Sequence, residues 1–143
     1  MFAEDTSERT RFELQRFERV HVDGCVALCA AEGWETYAED PERTYRALSS
    51  PGSTTLVALD DGVVAGLVQI QSDGEIQAHL SALLVGEGWR GRGVARRLLR
   101  ERLERAGGMR MDILTAAESF YRHLGAEWKT AFRLRPDDLS GEV

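Results

Sequence analysis

Residues 80–105 read LSALLVGEGWRGRGVARRLLRERLER, and three kinds of local structure follow one another there without a gap. The apolar run Leu80 to Val85 predicts a buried strand, the glycine-dense GEGWRGRG cannot prolong it, and from Val94 apolar positions recur at helical spacing. Val94, Leu98, Leu99, Leu103 and Ala106 fall on one side of this helix. Arg97/Glu101, Arg100/Glu104 and Glu101/Arg105 form (i, i+4) charge pairs on the other. Gly107 and Gly108 end it.

The chemistry lies in the turn between strand and helix. Gly91 and Gly93 let the backbone approach a ligand closely and leave its amides unshielded, at a helix N-terminus where free N–H groups and the dipole favour phosphate oxygens. Arg90, Arg92, Arg96 and Arg97 add cationic side chains, and a diphosphate fits both features. A nucleotide-hydrolase loop, GxxxxGK followed by Ser or Thr, is excluded because no lysine follows these glycines. A dinucleotide fingerprint, GxGxxG, is met at its start alone: Arg96 stands where the last glycine should be, and the turn comes late in the chain.

With 143 residues, 43% of them hydrophobic, the chain is expected to form one domain over residues 1–143 with a sizeable core. Twenty-four acidic against eighteen basic residues give a formal charge of −6. That balance argues against non-specific nucleic-acid or anionic-membrane partners and favours a cationic amine. The N-terminal residues are charged from Glu4 onward, and no apolar run approaches the roughly twenty residues of a membrane span, so a cytoplasmic location is expected. Cys25 and Cys29 stand at helical spacing and read as small core residues rather than a redox or zinc pair. His21, His79 and His123 are scattered, and no metal is expected.

Arg11 to Phe17 alternates as an edge strand. Asp23 is a candidate N-cap for a helix carrying Val26, Cys29 and Ala30 towards Gly33. Asp40-Pro41-Glu42 starts a second helix that Pro51-Gly52 stops, with GWETYAE between the two. Thr54 to Leu59, the turn Asp60-Asp61-Gly62 and Val63 to Gln71 give a hairpin. Ser72-Asp73-Gly74 then leads into a third strand, Glu75 to Val85. Met109 to Leu114 reads as the next strand, parallel to the third because a whole helix separates them. Thr115 to Glu118 has the form of a capping box before Ala117, Phe120, Tyr121 and Leu124 at helical spacing. Trp128 to Leu134 alternates as a last strand, giving the order β-α-α-β-β-β-α-β-α-β.

RGRGVA, Arg90 to Ala95, matches Q/R-x-x-G-x-G/A, the acetyl-CoA turn of the GNAT family of N-acetyltransferases, and ESFYRHLGAEW resembles that family's A-x-x-FYxxxGF segment at Ala117, Phe120, Tyr121 and Gly125. Leu114 replaces the asparagine often found three residues before that alanine, and the phenylalanine after Gly125 is lacking, Trp128 being the nearest aromatic. The element order is also that of the family, so the resemblance covers nearly the whole chain.

The resemblance implies an α/β (α+β) GNAT fold with a mixed central sheet of about six strands, splayed at the cofactor site. It implies that the backbones of Leu83, Leu84 and Val85 bond the pantetheine arm of acetyl-CoA. The amides of Arg90, Gly91, Arg92, Gly93, Val94 and Ala95 would hold the diphosphate, with side-chain help from Arg92 and Arg96. Glu87 stands where the family commonly has proline, flanked by Gly86 and Gly88, which implies a looser loop. Tyr121 corresponds to the family's general acid, a phenol of pKa about 10 that can protonate a departing thiolate; the competing reading is a packed aromatic beside Phe120.

His79 shares the parity of Gln77, Ser81 and Val85 and stands six residues before the end of the pantetheine triplet, about where histone-acetylating relatives place a catalytic carboxylate. An imidazole there could take a proton from an ammonium substrate; the alternative is a hydrogen-bonded strand histidine. Glu32, Glu35 and Glu39 are the other candidate bases. With Trp34 and Tyr37 they lie in the region that covers the acceptor pocket in the family, or else form a polar loop with an aromatic plug. The expected activity is acetyl-CoA-dependent N-acetylation of a primary amine on a small molecule, by direct transfer in a ternary complex, since neither cysteine lies near the thioester. A homodimer is expected. A non-catalytic CoA sensor, another acyl-CoA and a protein amino group are the alternatives.

Overall fold

In the computed structural model, which describes residues 12–115 and 117–139, a tight hairpin between β2 (Ser53–Asp60) and β3 (Val63–Ser72) founds the sheet. Asp61 and Gly62 close it with φ of 50° and 82°, the two left-handed residues of a turn that matches strand twist. β1 (Phe12–Arg16) pairs with β2 alone and is an edge, as its sequence predicts. β4 (Gln77–Val85) runs antiparallel to β3, and β5 (Arg110–Ile113) runs parallel to β4. The sheet order is β1-β2-β3-β4-β5.

The helices are α1 (Val22–Ala31), α2 (Glu35–Glu39), α3 (Pro41–Leu48), α4 (Val94–Ala106) and α5 (Glu118–His123). α1 and α3 cover one sheet face. Cys25 and Cys29, fully buried, pack there with Leu48, Val57, Leu67, Ala82 and Leu84. α4 covers the other face: a Cβ on Gly66 would lie 3.2 Å from Leu98 Cδ1. The chain divides into two compact units, Met1–Ile113 and Leu114–Val143. No helix among the described residues is long and apolar enough to cross a membrane.

Several element ends differ from expectation for local reasons. α1 begins one residue before Asp23, because Glu18 and His21 cap the preceding single turn of 3-10 helix, Arg19–His21, which feeds directly into it. Asp40 does cap α3, its carboxylate accepting from Arg43 N–H at 3.1 Å. β4 starts at Gln77 rather than Glu75 because the Asp73 carboxylate takes the amides of Glu75, Ile76 and Gln77 at 2.8, 2.8 and 3.2 Å. Those amides are thereby held in a turn. Thr115 accepts from Ala117 N–H at 2.8 Å, so it makes a local turn instead of capping α5, whose N-cap is Ala117.

The segment Trp128 to Leu134 is not a strand, and the described sheet has five strands in place of about six. Its alternation is real, but no strand pairs with it among the described residues, and Trp128, Phe132 and Leu134 are exposed, Phe132 at 93%. Alternation makes a strand possible; cross-strand pairing makes one form. Arg11 and Ala116, part of the expected first strand and capping box, lie outside the described residues.

Candidate active site

β5 pairs with residues 77–80 of β4 and stops, the last partners being Leu80 and Ile113. From Ser81 to Val85 the outer edge of β4 has no strand partner among the described residues. Gly86 N–H donates to Ala65 O at 2.8 Å. Alternation then turns the backbone of Leu84 towards β3 as well, and those of Leu83 and Val85 towards the open edge. Of the expected pantetheine-binding triplet, Leu83 and Val85 therefore turn their backbone groups to the open edge, where Val85 O already accepts from Arg90 Nε, while Leu84 puts its side chain in the core.

A β-bulge sets the side chains. Gln69 pairs with Ala82 and Ile70 with Leu80, leaving Ser81 as the extra residue. A bulge exchanges the faces on either side of it. His79 and Ser81 therefore lie on the α1/α3 face with Gln71, whose Nε2 donates to Ser81 Oγ at 2.8 Å. Leu83 and Val85 face α4. The expected common parity of His79 with Val85 is broken. His79 is exposed and lines a hollow with Gln71, Asp73 and Gln77. Beside it Gln77 bridges the parallel pair, donating to Asp112 at 2.7 Å and accepting from Arg110 Nε at 2.6 Å.

The glycine turn is pinned, contrary to the looser loop that Glu87, Gly86 and Gly88 imply. Trp89 Nε1 donates to Asp60 Oδ2 at 2.7 Å, and its indole lies on Gly86, where an added Cβ would come within 2.7 Å of the ring and 3.0 Å of Leu28 Cδ1. Gly86 is thus a packing requirement rather than slack. Arg90 donates from Nε to Val85 O at 3.1 Å, its guanidinium pairs with Glu32, and its amide reaches Glu87 O at 3.4 Å. It braces the turn.

Gly91 and Gly93 both have φ of 78°, in the left-handed region that side chains disfavour. A Cβ on either would meet nothing within 4 Å, so backbone conformation and not crowding by the protein demands glycine. Gly93 is the N-cap of α4, with no side-chain cap and no acidic residue in the first turn. The first helical bond is Arg97 N–H to Gly93 O at 3.0 Å, so the amides of Val94, Ala95 and Arg96 have no helical acceptor. Arg92 and Arg96 are exposed beside them. Arg97 is drawn away to Phe12 O at 2.8 Å.

The expected acceptor-side residues separate into two groups. Glu32 is largely buried and neutralised by Arg90. Trp34 and Tyr37 are half-buried against the α1 core, with ring centroids 5.7 Å apart. Burial raises the Tyr37 phenol, with Cys29 adding to the effect. Glu35 and Glu39 are the exposed carboxylates of this stretch.

Tyr121, on α5, is 8% exposed and meets Phe120 edge-on at 5.0 Å between centroids; burial pushes its phenol up. Burial likewise pushes the thiol of Cys25 up to about 12, with Cys29 contributing, and that of Cys29 up to about 11. Among the described residues no group of three or more His, Cys, Asp or Glu could hold a metal ion.

No curated protein matches the chain. Solved structures do. An acetyltransferase assignment from Deinococcus radiodurans R1 shares 27% identity over 93% of this chain and 94% of its own, with a TM-score of 0.68. An aminoglycoside acetyltransferase from an uncultured soil metagenomic sample, in complex with sisomicin, shares 15% over 89% and 97%, at 0.69. AAC(6')-Iy, in complex with the bisubstrate analogue CoA-S-monomethyl-acetylneamine, shares 18% over 87% and 97%, at 0.66. At these two lower identities the likeness is one of fold. The acetyltransferase (GNAT) family model matches residues 14–126, so the half-unpaired strand and the uncapped glycine turn sit in a chain that belongs to the GNAT acetyltransferase family.

Proposed function

We propose that the chain is an acetyl-CoA-dependent N-acetyltransferase that acylates a primary amine of a small molecule by direct transfer in a ternary complex. The observation that carries this reading is the unpaired half of β4 running straight into an uncapped helix N-terminus. The residues fit the cofactor: the space before Gly91 and Gly93 is open, and the amides behind them lack acceptors. The outward backbone groups of Leu83 and the N–H of Val85 hold the pantetheine arm, the Val85 carbonyl being taken by Arg90. The amides from Gly91 to Ala95, with the side chains of Arg92 and Arg96, hold the diphosphate.

Bound acetyl-CoA supplies an activated acyl carbon and a thiolate leaving group. His79 takes the proton of the ammonium acceptor, directly or through water, so that neutral nitrogen can attack. Tyr121, its phenol raised by burial, carries a proton at neutral pH to give to the departing sulfur. Buried thiols with raised pKa values are poor nucleophiles, which supports transfer without an acyl-cysteine. Glu35 and Glu39 supply exposed negative charge for a cationic acceptor, and solved relatives that act on aminoglycosides support a small amine as substrate. The family match spans the boundary between the two units, which supports one acetyltransferase domain over residues 1–143.

A thiol-release assay with acetyl-CoA across aminoglycosides, polyamines and amino acids tests the reading. Saturable release with at least one amine is expected. CoA binding without release across the panel, with acetyl-CoA and longer acyl-CoA alike, would leave a non-catalytic CoA sensor instead.

A further inference from the structure

Far from the glycine turn, a cavity of about 630 Å³ opens between the end of β1, the start of β2 and the C-terminal half of α4. Arg16, Arg102 and Arg105 line it together with a single carboxylate, Glu101. Three guanidinium groups against one carboxylate give this hollow a net positive charge in a chain of charge −6. Glu101 is committed to Arg105, at 2.9 Å. The hydroxyls on the opposite wall are spent too: Ser53 donates to Ser50 O, Thr54 to Ile70 O and Thr55 to Leu48 O. Guanidinium N–H groups are left as the donors for whatever enters.

Arg102 is the centre of the case. It is half-buried, and its Nε is screened from solvent with no hydrogen-bond partner among the described residues. Burial, then the neighbouring charges of Arg105 and Arg16, disfavour its cationic form. An enclosed donor left unpaired is rare in native proteins, and cations that outnumber the one carboxylate among them repel one another. An oxyanion between them would satisfy the donor and cancel the repulsion, and charge-assisted bonds to guanidinium are among the stronger ones available. The volume exceeds what a bare phosphate fills and lies in the range of small-molecule sites.

We propose that this cavity binds a small, multiply charged oxyanion, a phosphomonoester or a dicarboxylate, through Arg16, Arg102 and Arg105. The site is separate from the diphosphate turn. Arg102 and Arg105 follow Gly93 by nine and twelve residues along the same helix, roughly 14–18 Å at the helical rise. Both ligands therefore bind at once.

Calorimetric titration of the full chain with inorganic phosphate, glycerol 3-phosphate and malonate, with and without saturating coenzyme A, tests this. At least one probe should bind one-to-one in both conditions. Arg16→Gln and Arg102→Gln should each weaken it at least tenfold, and Arg92→Gln should change it less than twofold. Tighter binding of glycerol 3-phosphate assigns a phosphoryl ligand, and tighter binding of malonate a dicarboxylate. Should Arg102→Gln fail to melt cooperatively, the exposed Arg16 and Arg105, replaced singly by glutamine, decide. Absence of heat from all three probes, unchanged affinity in the cavity variants, or loss of binding through Arg92→Gln would each overturn the assignment.

Discussion

Tyr121 and His79 divide the proton traffic of the proposed reaction, and each should leave its own kinetic mark. Tyr121→Phe removes a donor while keeping the ring that meets Phe120. Its kcat should fall by about 100-fold or more, the usual scale of general acid catalysis, while calorimetry finds the coenzyme A Kd within about twofold. An unaltered kcat would make Tyr121 a packing residue. For His79→Ala the expected loss is the acidic limb of the kcat/KM profile; if that limb persists, Glu35 becomes the base to test. At this scale the sequence was legible where backbone conformation is local, as at the left-handed Gly91 and Gly93, and silent where a distant partner decides. Nothing in the spacing of Glu32 and Arg90 shows that they pair with each other, 58 residues apart in the chain.

Among the elements, the strand-turn-helix unit formed where its residues predict it, because apolar run, glycines and helical periodicity are each local signals. What was not legible was the bulge at Ser81 and the anchoring of Trp89 on Asp60, since both depend on the neighbouring strands. The same dependence governs Trp128 to Leu134, which has the pattern of a strand and no pairing partner among the described residues. Two glycines of one loop separate packing from slack. Gly86→Ala places a Cβ 2.7 Å from the Trp89 ring, so the indole must shift and its bond to Asp60 weaken. Urea melts should then show a loss of about 1–3 kcal/mol, the usual scale of overpacking, with weaker coenzyme A binding alongside. Gly88→Ala meets open space, and its stability should stay within about 0.5 kcal/mol of the parent. Equal effects at the two positions would refute the pinned turn.

For the whole molecule, the core itself carries a pH signature. Cys25 and Cys29 are fully buried, and their thiols titrate near 12 and 11 in the folded chain, against about 8.5 when unfolded. Their folded values are raised, so the stabilisation is complete below about pH 8.5 and is lost as pH climbs towards the folded values, because the unfolded chain releases its protons first. Stability should fall above about pH 9 by up to about 1.4 kcal/mol per pH unit for each titrating thiol. Urea melts between pH 8 and 10.5 would reveal it, and replacing both cysteines by alanine should flatten the slope. The central claim, that bare amides at one bend grip a diphosphate, is tested most directly by titrating coenzyme A into the parent chain and Gly93→Val. A β-branched residue cannot hold φ of 78° without strain, so one coenzyme A per chain is expected for the parent and at least tenfold weaker binding for the variant. Equal affinities, or no heat from the parent at high micromolar protein, would contradict it.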